Sequence, residues 1–437
     1  MYPLTEFPTS TLTSGLGELI RCKRLEKQMT IQQLSDLSGT PKATLSTIET
    51  GETHSPDFRT LLVIASCLDI PIDELTELYT EAEHSPDALF TVFKEVTPNS
   101  LPVPLLMKIA TKFLAINQRE TSEESVERLY AFASELKEIP PKLALFKVIS
   151  EFTDNHSIRP TLAKALLQSY LIERDDFTKL SKTYESGKLI QYHVRFLPPD
   201  DQIIYYYKIG SHAYFLGKYA EGIQFFKELI SLDPNESIYK AYAITYSTEC
   251  YYALGRYDVA EQHLNLLTTF DFPFVRSTID FISAKLDGRR GDTDLAIIQL
   301  EHCLDSLHPK VPAMDALLEL YSKNKDVSAA ERLFLHENDF VDVCSKNNPL
   351  LVAGYADYYI KKSAYYTLIN EHILAAEYRI KGIKLFMSVN RERDVHKHVA
   401  SLLSSICSTT ILQNPNIKGE VEQLAEYLNE YVTHIDE

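Results

Sequence analysis

The chain contains no tryptophan and only 14 glycines in 437 residues. Scarce glycine beside much Leu, Ala, Glu and Lys favours helices. Cysteine is sparse too: six residues, at 22, 67, 250, 303, 344 and 407, with no CxxC pair and no zinc spacing. Several lie in apolar helical runs and read as small buried thiols. The start, MYPLTEFPTSTLTSG, lacks the basic region and apolar core of a secretory signal. No apolar run approaches the ~20 residues that span a bilayer. These absences predict a cytoplasmic protein with reduced thiols and no membrane partner. Positive charge is also short. At a net −17 the chain is no general coat for nucleic acid, and any DNA contact must be local. HExxH, GxSxG, GxxxxGKS/T and GxGxxG are all missing. The sequence therefore offers no catalytic residue, no cofactor and no metal site, and reads as a non-enzyme. His396-Lys397-His398 beside Asp394 does not alter this, because residues two apart diverge on a helix. Glu123-Glu124 and Asp175-Asp176 read as helix-terminus or loop charges.

What is present is hydrophobic content of 45%, with 26 Tyr and 20 Phe, enough for packed cores in two or three domains or in one domain plus a repeat array. The most informative stretch runs from Leu34 to Gly51. It reads as a helix, a turn at Gly39 and a second helix closed by Gly51, the helix-turn-helix layout whose second helix enters the DNA major groove. Residues 1–14, rich in Thr, Ser and Pro, read as a flexible lead-in. Leu16, Leu19, Ile20 and Lys23 begin a helix that continues to about Lys27, and Thr30 caps the next, with Leu34 and Leu37 on its apolar face. Gly39 fits a position of positive φ. Pro41 suits the first turn of the third helix, with Thr40 as its cap, and Leu45 and Ile48 point inward. Ser55-Pro56-Asp57 opens a fourth helix carrying Leu61, Leu62, Ile64, Ala65 and Leu68. After Asp69-Ile70-Pro71, Ile72, Leu75 and Leu78 mark a fifth.

On the outer face of the third helix, Lys42 suits guanine O6 and N7, while the methyls of Ala43 or Thr44 suit a thymine methyl. Ser46 and Thr47 suit bases or phosphates. Over residues 16–51, Arg21, Lys23, Arg24, Lys27 and Lys42 stand against Glu18, Glu26, Asp36 and Glu49, a balance of only +1. Leu16 to Tyr79 resembles the lambda-repressor-type, XRE-like helix-turn-helix domain. The resemblance rests on Ile20 to Arg24, Thr30, Leu34-Ser35, Gly39, Thr44-Leu45-Ser46, Ile48-Glu49, Gly51, Ser55-Pro56, Leu61-Leu62, Ile64-Ala65 and Leu68-Asp69-Ile70. It implies a structural pair between Arg24 and Glu49. Where the family often has a phosphate-binding Gln after the Thr, this chain has Ile31, leaving that role to Gln32 or Gln33.

Residues 81–100 read as a linker containing a short helix, 87–95. Residues 101–200 are helical, with breaks at Pro140-Pro141 and Pro198-Pro199, and read as diverged repeats or a connecting bundle. Beyond them a pattern recurs. Gly217-Lys218-Tyr219-Ala220-Glu221-Gly222 returns at Gly255, Gly291, Lys325 and Asn370, at spacings of 38, 36, 34 and 45 residues. The small residues Gly222, Ala260, Ala296, Ala330 and Ala375 allow two helices to pack closely. Pro234, Pro273 and Pro309 end three of the second helices. Residues 201–437 are thus similar to tetratricopeptide repeats, most clearly over Ile203 to Asn235 with Gly210, Gly217, Tyr219, Gly222, Phe226 and Pro234. Such units stack into a solenoid whose first helices line a concave face. Repeat register puts Tyr207, Ser211, Tyr214, Tyr242, Thr245, Glu249, Tyr252, Thr278, Phe281, Lys285, Asp315, Glu319 and Asp357 on that face. Aromatic rings with dispersed polar groups suit an extended peptide; the same tyrosines also suit packing between repeats.

The expectation is an all-α chain: a five-helix lambda-repressor-like helix-turn-helix domain over 1–80, then a tetratricopeptide-like α-solenoid. That order resembles the RRNPP group of peptide-pheromone receptors, with its PlcR-like, NprR-like and arbitrium-receptor-like regulators. The resemblance implies a quorum-sensing transcriptional regulator. It would act as a homodimer that binds a double-stranded DNA operator and takes a short signalling peptide into residues 201–437, changing the dimer's geometry on DNA. The alternatives are a repeat-based adaptor with no peptide ligand and a repeat-scaffold regulator of another enzyme, such as a response-regulator phosphatase.

Overall fold

The structure, a computed structural model, describes residues 10–53, 55–96, 101–116, 122–306, 310–339, 348–406 and 414–435. Among them there is no strand, and no helix is long and apolar enough to cross a membrane. The chain divides into two compact units, Met1–Ile172 and Glu173–Glu437.

The first unit begins with α1 (Ser10–Glu26), α2 (Ile31–Ser38), α3 (Lys42–Glu49), α4 (Phe58–Leu68) and α5 (Ile72–Ala82). The first helix thus reaches back into the expected lead-in, and residues 1–9 lie outside the described part. Each start has a local cause. Thr30 caps α2 in a capping box with Gln33, and Asp57 caps α4 by accepting from the Thr60 amide. Gly39 ends α2 at φ 66°, a left-handed conformation that glycine adopts without the penalty a Cβ brings. Thr40 does not cap α3. Pro41 occupies that position, and Thr40 is buried, with its carbonyl accepting from Ser35 Oγ. Leu37 is also not core. It is 60% exposed, because α2 turns only the Leu34 stripe inward.

Behind the head follow α6 (Pro86–Glu95), α7 (Val103–Ala115), α8 (Ser122–Glu135), α9 (Ile139–Asn155) and α10 (Arg159–Glu173). One continuous core joins Leu16 and Leu45 of the head to Leu89, Phe90 and Phe93 of α6 and on to Ile149 and Ala165. The span read as a linker therefore contributes a packed helix. Ser85 caps it, and Phe90 and Phe93 lie in an aromatic cluster with Phe113 and Phe132. Pro140 and Pro141 sit in the first turn of α9, where proline needs no hydrogen-bond donor.

The second unit runs through α11 (Leu180–Leu189), α12 (Pro199–Phe215), α13 (Tyr219–Leu232), α14 (Ile238–Ala253), α15 (Tyr257–Leu266), α16 (Pro273–Arg290), α17 (Thr293–Ser306), α18 (Val311–Asn324), α19 (Val327–Phe334), α20 (Pro349–Leu368), α21 (His372–Ser388), α22 (Glu392–Ile406) and α23 (Pro415–Ile435). From α12 to α21 these helices form antiparallel pairs, and every pair is joined the same way. Gly217, Gly255, Gly291, Lys325 and Asn370 all have φ between 57° and 109°. The next amide then reaches back to a carbonyl five residues earlier, as in Lys218 N–H to Ala213 O at 2.8 Å and Glu371 N–H to Tyr366 O at 2.9 Å. This left-handed cap satisfies carbonyls that a helix end leaves open. Asn390, at φ 57°, makes a sixth such turn between α21 and α22.

Gly222, Ala260, Ala296, Ala330 and Ala375 are all buried. A Cβ on Gly210 would sit 2.7 Å from the Phe226 ring, so glycine there sets how closely α12 and α13 approach. Pro273 begins α16 rather than ending α15, and Pro309 lies outside the described residues. The array closes on itself. Leu180 and Phe215 share a small core with Val352, Ala353 and Val389, and the Ser181 amide donates to Asn390 Oδ1 at 2.9 Å.

Candidate functional site

The head presents α3 as an outer ridge. Lys42, Ala43 and Thr44 are exposed, while Ser46 and Thr47 are half-buried. Thr47 Oγ1 donates to the Thr44 carbonyl at 3.0 Å and accepts from Thr53 Oγ1 at 2.8 Å, so its hydroxyl is internally satisfied. Gln32 Nε2 donates to Asp36 at 2.9 Å. Gln33 gives its amide oxygen to the Thr30 amide at 2.8 Å. Both stand at the exposed start of α2.

The ridge is held from behind. Arg24 Nε and Nη2 donate to the two Glu49 oxygens at 2.7 and 2.8 Å, and Nη1 donates to the Met29 carbonyl at 2.7 Å. This paired fork is buried, and its hydrogen bond to Glu49 raises the Arg24 pKa above the ordinary value. A Cβ on Gly17 would lie 2.3 Å from the Ile48 carbonyl oxygen, so glycine alone permits α1 to meet the end of α3. Lys23 pairs with Glu26 and Lys27 with Asp69. Among the described residues, Arg21 and Lys42 pair with no carboxylate. The sequence reading missed Arg21, which is exposed one turn beyond Gly17.

In the second unit, all thirteen residues mapped to the concave face are half-buried. One set forms an aromatic ladder. Tyr207 packs on Tyr242 at 5.9 Å, Tyr242 stacks on Phe274 at 4.5 Å, and Tyr214 meets Tyr246 at 5.2 Å. These rings pack between successive pairs and are half-buried. Ser211 and Thr245 donate to carbonyls of their own helices. The other set is charged. Lys285 donates to Glu249 at 2.7 Å and lies 4.3 Å over Tyr252. Arg289 reaches Glu319 at 2.6 Å and donates to the Tyr252 hydroxyl at 2.9 Å.

A cavity of about 290 Å³ gathers Tyr214, Glu249, Phe281, Lys285, Asp315 and Asp357 with Tyr219, Tyr246 and Arg391. Tyr207, Ser211, Tyr242, Thr245, Tyr252, Thr278 and Glu319 lie outside its lining. A second, wider cavity of about 1030 Å³ shares Tyr219, Asp357 and Arg391 with it and opens onto Lys218, Glu221 and Asp394. Close surroundings push the Asp357 carboxyl up to about 7, against the pull of Arg391. Lys361, held by Asp315 and Glu319 at 2.7 and 2.8 Å, keeps a raised pKa despite burial. Arg391, Lys361, Arg289 and Tyr246 were not singled out from sequence, and Tyr219 was read as a repeat position and not as part of the groove. Tyr246 follows Tyr242 by one turn and Lys361 follows Asp357 by one turn, so helical spacing could have found both. Arg391 comes from the turn before α22, where register along the first helices does not reach.

Among the cysteines expected to be buried, Cys250 and Cys303 are, Cys67 is half-buried and Cys22 is exposed on α1; Cys344 and Cys407 lie outside the described residues. His398 lies flat against Phe386.

These features define a helix-turn-helix head joined to a tetratricopeptide body. The helix-turn-helix family pattern matches residues 20–75 and the tetratricopeptide-repeat pattern residues 203–236. The chain therefore carries a helix-turn-helix segment followed by a tetratricopeptide segment. No curated protein matches it. Among solved structures it is similar to the apo form of RapI, at 13% identity over 87% of this chain and 99% of that one, with a TM-score of 0.42. It is similar also to a Rap protein complexed with Competence and Sporulation Factor, at 10% identity over 73% and 98%, TM-score 0.39. A third is Bacillus thuringiensis PlcR in complex with the peptide PapR7 and DNA, at 14% identity over 89% and 99%, TM-score 0.24.

Proposed function

We propose that this protein is a DNA-binding transcriptional regulator of the quorum-sensing type, acting in the cytoplasm as a homodimer. Its repeat domain binds a short peptide, and the peptide changes how the two heads meet their half-sites. The observation that carries this reading is the pairing of two kinds of surface in one chain. An exposed α3 ridge bears Lys42 and Thr44, and a groove combines half-buried aromatic rings with fixed charges. A peptide has a backbone that needs hydrogen bonds and side chains that need pockets, and the groove offers both. With few free cations, one head holds DNA weakly, so two heads in one dimer suit the chemistry better than one.

The test is a salt-titrated binding assay on promoter fragments with the wild type and a Lys42→Ala, Thr44→Ala double variant. The expected outcome is loss of specific operator binding with an unchanged thermal melt. Unchanged binding removes the assignment of α3 as the recognition helix. Peptides of roughly five to ten residues, encoded near the gene, should shift the melting temperature or the DNA affinity. A stable protein partner at the groove with no response to peptides would favour an adaptor instead.

A further inference from the structure

The charged half of the groove does not balance. Lys285 is matched by Glu249 at 2.7 Å, Lys361 by Asp315 and Glu319 at 2.7 and 2.8 Å, Arg289 by Glu319 at 2.6 Å, and Arg391 by Asp394 at 2.5 Å. Four cations thus hold four carboxylates, and Asp357 is the fifth. Among the described residues it takes no hydrogen bond, and it is held only by a long ion pair with Arg391 Nη1 at 3.9 Å, while Nη2 of the same guanidinium pairs closely with Asp394.

A second acceptor beside it is also unused. Asp315 Oδ1 is buried with no hydrogen-bond partner. Asp315 lines the same cavity and lies near enough to Asp357 for the two charges to repel. Leaving a buried acceptor unmet is unfavourable, and Asp357 beside it, 48% exposed at the side chain, has room for a closer partner than Arg391. A buried orphan of this kind is met by a water, an ion or a bound ligand.

We propose that Asp357, with Asp315 Oδ1, receives an organic cation, the guanidinium or ammonium group of an arginine, lysine or free amino terminus in the bound peptide. The location supports a cation carried on a chain. Asp357, Arg391 and Tyr219 line both cavities, so a group held there can extend into either. Tyr219 offers a ring face suited to a guanidinium. A metal ion is a poorer fit, since no described group of three metal-binding side chains gathers here. This inference rests on the groove being a peptide site, and the experiment keeps the two apart.

The full chain is incubated with a synthetic hexapeptide library made with free and acetylated amino termini, and retained peptides are identified by mass spectrometry. Agmatine, a guanidinium without a peptide, is titrated in parallel by calorimetry. The wild type is expected to enrich peptides carrying Arg, Lys or a free amino terminus. Asp357→Asn is expected to lose that enrichment by about tenfold or more, as for a lost charge-assisted hydrogen bond, while still retaining peptides. Asp315→Asn should weaken it from the other side, which keeps the test open if one variant folds poorly. Peptides retained without cationic preference, or a preference that survives both substitutions, overturn the proposal and leave the peptide reading intact. Agmatine binding that Asp357→Asn abolishes, with no peptide retained, keeps the cation site and overturns the peptide reading. Neither probe binding overturns both.

Discussion

At the scale of single residues, function and stability pull on Asp357 in opposite directions. Its carboxyl titrates near 7 in the folded chain and near the usual ~4 when unfolded. Between those values the native state holds more protons than the unfolded state. Its contribution to stability is therefore present at acid pH and lost as pH rises through about 7. The groups that face it are Arg391, Asp315, Asp394 and Lys361. Asparagine at 357 does not titrate, so the melting temperature of Asp357→Asn minus that of wild type should grow from pH 5 to pH 8. Thermal melts across that range check this, and a constant difference would remove the charge from the argument. His212 and His398, pushed down to about 3 and about 4 by burial, act in the opposite sense in both proteins and cancel in the subtraction. Arg24 and Gly17 show the contrast. Both serve a fixed geometry: Arg24, which the helix-turn-helix resemblance implied, joins α1 to Glu49, and Gly17, which the sequence reading passed over, lets α1 touch α3. Arg391 was not legible, since nothing local in Asn390-Arg391-Glu392 says which cavity its guanidinium enters.

At the scale of elements, the repeat is a left-handed turn before it is a pair of helices. The fold class and the helix pairs could be read because Gly217, Gly255 and Gly291 punctuate a sequence otherwise poor in glycine. Lys325, Asn370 and Asn390 hold the same backbone conformation without glycine, and the last of them escaped detection. Asparagine tolerates this region better than most residues, and lysine does not. Two substitutions should therefore act with opposite sign. A side chain at Gly255 would meet nothing within 4 Å, so Gly255→Ala tests backbone strain alone and should cost about 1 kcal/mol. Lys325→Gly should gain about as much. Urea unfolding with unchanged slopes checks both, and shifts of the same sign would mean the turns are not equivalent.

At the scale of the molecule, a linear repeat array frays from its ends, but the second unit joins its first helix to its last turns. The Ser181 amide meets Asn390 Oδ1, and Leu180 packs with Val389. Asn390→Gly keeps the left-handed turn and removes the acceptor. Amide hydrogen exchange in α11 and α22 should then rise together, by about tenfold, while α14 to α17 stay protected. Exchange that rises in α22 alone would show that the joint is incidental. None of this closure could be read from sequence, because Ser181 and Asn390 are 209 positions apart and neither carries a pattern that names the other. Tyr219, Asp357 and Arg391 have a different consequence, because they line both cavities. A substitution at any of them alters two surfaces at once, whereas Lys285 and Lys218 each belong to one cavity alone.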